Sequence, residues 1–208
     1  MAIEQISNLL IFDENYDQLS RQTNFGGSPV FNEGTSFAWP ACSCCEGNLQ
    51  YLGKIDDGKY INLIFMCQNE PGMCDEWSSD EGGNKVIRFI PQKLANVTAP
   101  DSGEILRETH YGCKIEQINN PCYDEAREKW AKKSGNSIRH VLGMLGGNAQ
   151  WLQADETPIC DSCSANMSFV AQLEEGPHHN TEMNFGGGGC AYLFACDSCE
   201  SAKFLWQC

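Results

Sequence analysis

Eight of the thirteen cysteines fall into two sets of four at the spacing of metal ligands. Each set begins with a Cys-x-x-Cys knuckle, and its third cysteine ends an apolar segment further along the chain. The first set is Cys42, Cys45, Cys67 and Cys74, and the second is Cys160, Cys163, Cys196 and Cys199. Four thiolates at such spacing bind Zn²⁺ tetrahedrally in structural sites. The cysteine pattern therefore predicts two structural zinc sites.

The two sets differ in how strongly they indicate a metal. The second has two Cys-x-x-Cys knuckles separated by a hairpin, the zinc-ribbon arrangement. In the first, Cys67 and Cys74 have six residues between them rather than two, and Cys44 stands between the two knuckle cysteines. Alignment with the second set selects Cys42 and Cys45 as ligands and places Cys44 opposite a serine. The use of Cys44 in place of one of them stays open at this point.

Four thiolates leave a zinc ion no open position for a substrate or a reactive water, so the chain is predicted not to be an enzyme. The competing nucleophile is Cys122, which is placed at the first turn of a predicted helix, where the helix dipole favours a thiolate. Asp124 and Glu125 next to it oppose that effect. Cys113 could pair with Cys122 on oxidation. The pair His178-His179 lies in a long loop that is expected to be solvated, and contact with a metal or a ligand stays open for it.

The elements around the cysteines are repeated. One copy contains GGSPVF, WP, LQYLGKI and NLIFMC, and the other contains GGNAQW, MSFVAQL, AYLFAC and FLWQC. Self-similarity of this kind indicates a duplicated unit, in which alternating apolar residues predict antiparallel strands. The predicted divisions are an N-terminal arm (1–23), repeat 1 (24–90), a connector (91–143) and repeat 2 (144–208).

The connector carries one predicted helix, 121–134. Asn120 can cap it, Pro121 suits its first position, and Gly135 follows its last turn. In the arm, Ile3, Ile6 and Leu10 have helical spacing, but Leu9 to Phe12 reads equally well as a strand. The expected fold class is α+β: two duplicated antiparallel β units, each with a zinc-ribbon-like site of four cysteines, packed as a pseudo-two-fold pair and joined by this helix.

Composition excludes some partners. The chain of 208 residues has a formal net charge of −14, and phosphate backbones require a basic surface, so nucleic acid is not expected as a partner. The first residues lack the basic start of a signal peptide, and no apolar run reaches membrane-spanning length. Thirteen cysteines cannot all be paired in disulfides. We therefore expect a cytoplasmic protein with reduced thiols and no membrane contact.

The repeated order of motifs resembles the YwqG-like family, and the added knuckles are similar to those of the related group of programmed cell death protein 2. The resemblance covers both repeats but not the connector. The YwqG-like resemblance implies an internally duplicated α+β fold with no established enzymatic activity. The second resemblance implies a chaperone-like role toward a newly made ribosomal protein.

Three functions remain open on the sequence. The first is a non-catalytic, zinc-stabilised protein-interaction module that could act as a chaperone for a basic protein or peptide client, since a net charge of −14 favours a basic partner. The second is an immunity or regulatory protein that neutralises one specific partner. The third is an enzyme that uses Cys122 or the His178-His179 loop.

Overall fold

A computed structural model describes residues 6–208, which form twelve β-strands and one α-helix. The strands are β1 (Ile6–Asp13), β2 (Asn24–Phe25), β3 (Val30–Asn32), β4 (Gln50–Asp56), β5 (Ile61–Met66), β6 (Asn84–Phe89), β7 (Leu94–Asn96), β8 (Tyr111–Asn119), β9 (Val141–Leu145), β10 (Ser168–Glu174), β11 (Cys190–Cys196) and β12 (Ser201–Gln207). The helix α1 is Tyr123–Ser134, and short 3₁₀ turns occur at Ile138–His140 and His179–Thr181.

Ten of these strands form one antiparallel sheet in the order β12-β11-β10-β9-β1-β8-β2-β4-β5-β6. Its centre is the pair β1 and β8, which run in register from Ile6 opposite Asn119 to Asp13 opposite Gly112. The meander β9 to β12 continues on one side of this pair, and β2, β4, β5 and β6 continue on the other. Strands β3 and β7 form a separate small sheet.

The expected fold class is wrong. The chain is mostly β, with a single continuous main sheet, and it is not a pair of separate α+β units joined by a helix. The reason is that the two central strands come from the segments assigned to the arm and the connector: β1 belongs to 1–23 and β8 to 91–143. By pairing with each other, these strands join the two halves into one sheet, so the helix does not connect them.

The continuous apolar sequence of β1 explains why the sequence did not predict its place at the centre of the sheet. Leu10 packs into the interior of the curled sheet, whereas Leu9 and Ile11 face the outer surface beneath α1. A strand buried on both faces shows no apolar–polar alternation, so its sequence resembles a buried helix. The strand alternative for the arm is the one that the structure contains; Ile3, which gave the helical spacing, lies outside the described residues.

The sheet curls until its two edge strands, β6 and β12, face each other, which leaves it nearly closed. Two basic side chains bridge this seam. Arg88 on β6 donates to Asp197 at 2.7 Å, and Lys203 on β12 forms ion pairs with Asp80 and, at 2.6 Å, with Asp161. The enclosed side chains form the largest apolar cluster of the described chain.

Helix α1 packs on the outer face of the sheet through Tyr123, Ala126 and Trp130, which are buried. It begins two residues later than predicted: Cys122 is the N-cap, and the side chain of Asn120 accepts a hydrogen bond from the Cys122 amide instead. Gly135 ends the helix in the left-handed conformation with φ +74°. Within residues 6–208, no helix has the length and apolar character needed to cross a membrane.

Candidate metal centres

The structure brings the eight cysteines together as two clusters of four thiols. Within each cluster the four Sγ atoms lie within 4.8 Å of one another. The first centre contains Cys42, Cys45, Cys67 and Cys74, and the second contains Cys160, Cys163, Cys196 and Cys199. Among residues 6–208 no other group of three or more His, Cys, Asp or Glu side chains has this metal-ligand geometry.

The sulfur–sulfur distances fit a tetrahedral ion. Cys45 and Cys67 lie 3.7 Å apart in the first centre, and Cys163 and Cys196 lie 3.7 Å apart in the second. A zinc–sulfur bond of about 2.3 Å in a tetrahedron places neighbouring sulfurs about 3.8 Å apart. These two pairs of sulfurs are therefore at the separation that such an ion requires, and the other sulfurs lie within 4.8 Å of them.

The knuckle of the first centre is a tight turn. The Cys42 amide donates to the Gly47 carbonyl at 2.8 Å, and the Glu46 amide donates to the Cys42 carbonyl at 3.0 Å. Glu46 adopts the left-handed conformation with φ +61°. This turn folds the backbone around Cys45, so both knuckle sulfurs point toward the end of β5.

The second knuckle has the same construction. The Cys160 amide donates to the Ala165 carbonyl at 2.9 Å, and the Ser164 amide donates to the Cys160 carbonyl at 2.8 Å. Ser164, at the position of Glu46, has φ +59°. In both centres the third cysteine ends or follows a central strand of a three-stranded meander, so the hairpin register brings it to the knuckle.

The longer spacing between Cys67 and Cys74 is accommodated by a loop built around Glu76. This carboxylate is buried and accepts hydrogen bonds from the amides of Gly72, at 2.5 Å, and Cys74, at 3.3 Å. The amides hold the loop in a turn that returns Cys74 to the other three thiols. Sequence reasoning did not find Glu76, although an acid two residues after a predicted ligand was a usable signal.

Cys44 lies outside the first cluster. It is exposed, and its Sγ points to the Met73 carbonyl at 3.7 Å. The geometry thus favours Cys42 and Cys45 as the knuckle pair.

Two further polar side chains contact the sulfurs and were missed from the sequence. The Asn69 amide nitrogen lies 3.6 Å from the Cys45 sulfur and 3.5 Å from the Cys67 sulfur. In the second centre the Ser201 hydroxyl lies 3.5 Å from the Cys160 sulfur. Hydrogen bonds to ligand atoms orient them and stabilise the thiolate. Both residues are small polar groups two positions after a predicted ligand, which is the signal that could have identified them.

The thiols of each cluster differ in acidity. The hydrogen bond with Ser201 is the main cause that lowers the pKa of Cys160 to about 6, whereas contact with the thiol of Cys163 raises the pKa of Cys199 to about 12. In the first centre the Gly47 amide lowers the pKa of Cys45, and burial raises that of Cys67. A divalent cation would displace the remaining thiol protons, so metal uptake is coupled to proton release.

The remaining candidate residues do not join either centre. Burial raises the pKa of Cys113, inside the curled sheet, to about 12. Cys122 is half-buried at the start of α1, and its side chain makes no cap hydrogen bond. Both histidines are exposed: His179 begins a 3₁₀ turn between β10 and β11, and His178 directly precedes it, with its ring centred 6.4 Å from that of Phe12.

No protein-family model matches this chain. The chain is 31% identical over 67 residues to the uncharacterized protein YpfL of Salmonella typhimurium. The match covers 32% of this chain and 15% of that protein, so the chain spans only a small part of the length of the curated relative that it matches.

Proposed function

We propose that the chain binds two structural zinc ions and acts as a non-catalytic protein-interaction module. The single observation that carries the metal assignment is the approach of four sulfur atoms in each centre to within 4.8 Å. A closed set of four sulfur ligands favours Zn²⁺ among common divalent ions, and it leaves no open position for a reacting water. The role of such ions is to stabilise small β segments.

Native mass spectrometry tests the metal. We expect two zinc ions per chain, and replacement by Co²⁺ should produce the intense visible absorption of tetrahedral thiolate coordination. A chain purified with iron would contradict the zinc assignment. A chain with no metal, and with no uptake after reduction, would contradict both centres.

The surface that we propose for a protein partner lies beside the second centre. A groove of about 630 Å³ there is lined by Trp77 and Ile159, which are 40% and 55% exposed, and by the acids Asp80, Glu156 and Asp161. Lys203 also lines it and pairs with Asp80 and Asp161, so Glu156 is the acid that has no such ion pair. We call it the acidic groove. Exposed apolar side chains with acids around them favour a segment that carries both apolar and basic residues.

The client in this proposal is therefore a basic protein segment. The formal net charge of −14 favours such a partner, and each zinc bound by four thiolates would add a further charge of about −2. In this proposal the chain is a relative of the YwqG-like family and of programmed cell death protein 2 that carries cysteine knuckles, and its role is chaperone-like. Thirteen free thiols support a reducing compartment, and we propose the cytoplasm.

A peptide titration tests the client. A lysine- and arginine-rich peptide that contains leucine and phenylalanine should bind, and its affinity should fall as salt rises. Trp77→Ala with Ile159→Ser should weaken binding at least tenfold, whereas Leu19→Ser, which replaces a residue 48% exposed, should not. Equal affinity of both variants would contradict the groove, and equal affinity for an acidic peptide would contradict the basic client.

A pull-down separates a general chaperone from a dedicated regulator. Recovery of many basic proteins favours the chaperone-like role, and one stoichiometric partner favours an immunity or regulatory protein.

The proposal that the protein is not an enzyme is tested by thiol labelling at neutral pH. We expect Cys122 to label no faster than the exposed Cys208; rapid selective labelling of Cys122 would favour an enzyme.

A further inference from the structure

A cavity of about 500 Å³ lies on the outer face of the sheet, between the start of α1, the loop 149–152 and the facing ends of β10 and β11. We call it the α1 cavity. None of the eight clustered cysteines lines it. Its volume is in the range of sites for small ligands, about 300 to 1,000 Å³.

Glu174 presents an acceptor to this cavity. Its Oε1 accepts hydrogen bonds from the Tyr123 hydroxyl at 2.8 Å, from Arg127 at 2.6 Å and from the Cys190 thiol at 3.6 Å. Among the described residues, no donor contacts its Oε2. The three hydrogen bonds hold Oε1 in place, and Oε2 remains as an acceptor for a ligand.

Two guanidinium groups line the same cavity. Arg127 uses Nη1 for Glu174, but its buried Nε has no hydrogen-bond partner in the described chain. Arg139 uses Nη1 for Glu182 at 3.1 Å and for the Gly176 carbonyl. The other nitrogens of both side chains make no hydrogen bond to the described residues. Arginine donors that remain available in a partly buried cavity favour a carboxylate, which they bind as a planar pair.

One side chain that lines the cavity is aromatic and packs against neighbouring rings. Trp151 lines the cavity and stacks on Phe194 at a centroid distance of 5.7 Å and an angle of 12°, with Tyr192 at 4.5 Å. Gln172 also lines the cavity; it is buried and accepts a hydrogen bond from the Gln150 amide at 3.0 Å. A fixed indole beside polar groups is a surface for an apolar or aromatic ligand group.

We propose that the α1 cavity binds a small zwitterion of the amino-acid or dipeptide class. The ligand carboxylate contacts Arg127 and Arg139, its ammonium group contacts Oε2 of Glu174, and its side chain lies against Trp151. A simple anion would face the carboxylates of Glu174, Asp124 and Glu175 without compensation, and a simple cation would leave the free donors of the two guanidinium groups unused. A zwitterion satisfies both signs of charge.

The net effect of its surroundings on Glu174 is a raised pKa. Burial raises its pKa, while Arg127 and the Tyr123 hydroxyl act in the opposite direction. An ammonium group at Oε2 would further stabilise the ionised carboxylate.

Calorimetry with the full, metal-loaded chain tests the proposal with four probes. These are L-phenylalanine, the dipeptide Phe-Gly, N-acetyl-L-phenylalanine, which lacks the ammonium group, and L-phenylalanine amide, which lacks the carboxylate. At least one of the first two should bind saturably, and whichever binds more tightly identifies a free amino acid or a dipeptide as the source. The blocked probes should bind at least tenfold more weakly.

Arg139→Gln provides the residue test because Arg139 is 44% exposed and its removal should leave the fold intact. It should weaken binding at least tenfold, which equals about 1.4 kcal/mol. The matched control is Arg21→Gln, since Arg21 is 43% exposed and pairs with a carboxylate outside the cavity. Because Trp151 lines the cavity, binding should change the tryptophan fluorescence, and Trp151→Phe should remove that change.

Three results would overturn the proposal. The first is the absence of saturable binding by both zwitterions at millimolar concentration. The second is equal affinity for the zwitterions and the blocked probes. The third is equal affinity in Arg139→Gln and Arg21→Gln when both variants show the unfolding curve of the parent chain. None of these results bears on metal content or on the acidic groove.

Discussion

The guanidinium of Arg88 donates to the carboxylate of Asp197 at 2.7 Å, which connects one edge strand of the sheet to the residue that follows Cys196. Arg88 is buried to all but 3% of its side chain, and its other terminal nitrogen binds Asp57 at 2.6 Å. Its guanidinium also lies 3.9 Å from the centre of the Tyr60 ring. Arg88 is thus one of the side chains that attach the second centre to the opposite half of the sheet, together with Lys203, which pairs with Asp161 and Asp80.

Arg88→Gln should destabilise the fold by about 2–3 kcal/mol, because it leaves Asp57 largely buried without its cation; fully buried pairs lose about 3–5 kcal/mol. The neighbouring pair Arg21–Asp56 is more exposed, so Arg21→Gln should change stability by about 0–1 kcal/mol. Urea unfolding of the two variants measures the difference. Equal midpoints would mean that Arg88 does not stabilise the seam.

The same contact predicts a dependence on pH. Burial alone would raise the pKa of Asp57, but hydrogen bonds from Tyr60 and Asn62 and the charge of Arg88 outweigh it, and the pKa is lowered from 3.8. A carboxylate with a lowered folded-state pKa stabilises the fold above its unfolded pKa, and this stabilisation is lost as pH falls through the folded value. Urea unfolding below about pH 4 should show a shallower pH dependence in Asp57→Asn; an unchanged slope would contradict this role.

Replacing Cys160 and Cys163 together by serine should unfold the second half or make it aggregate. Structural zinc contributes about 10–16 kcal/mol in small zinc-dependent folds, comparable to the whole stability of a domain. Thermal melting and amide exchange of β10 to β12 measure the loss. Cys208→Ser, at an exposed cysteine outside both centres, is the control. Unchanged melting of the double variant would rule out a structural metal there.

The ligand choice in the first centre is testable by stoichiometry. Cys42→Ser should reduce the zinc content from two ions per chain to one, because Cys42 contributes one of four clustered sulfurs. Cys44→Ser should retain both ions, since its sulfur points away to Met73. The reverse pattern in native mass spectra would show that Cys44 is the ligand.

Gly143 is required where β9 approaches β10. A Cβ atom there would lie 2.0 Å from the Gln172 carbonyl oxygen, and φ is +142°. At Gly146 φ is +66°, but a Cβ would have no atom within 4 Å. Gly146→Ala should destabilise the fold by about 1 kcal/mol through backbone strain alone, and Gly143→Ala by at least about 2 kcal/mol more. Thermal unfolding measures the loss of stability in each variant. Equal losses in Gly143→Ala and Gly146→Ala would exclude the clash.

The local structure around the knuckles and at the end of α1 could be predicted from the sequence. A knuckle is a short turn, and a hairpin brings a third cysteine to it by pairing neighbouring strands. Spacing and the alignment of the two sets therefore predicted the eight thiols, with Cys44 left as an alternative to Cys42 or Cys45. The end of α1 at Gly135 was equally local, since a left-handed residue is needed there. In these cases the residues that decide the structure are close in sequence to the residues that they position.

The order of the strands in the whole sheet could not be predicted in this way. Ser7 and Asn120 are hydrogen-bonded at 2.6 Å although 113 positions separate them, and the pairing of β1 with β8 depends on burial of both faces of β1. Burial on both faces removes the alternation that would mark a strand and its register. The seam and the α1 cavity likewise depend on ordinary charged residues, such as Arg88 and Glu174, whose partners are known only after distant strands have been packed together.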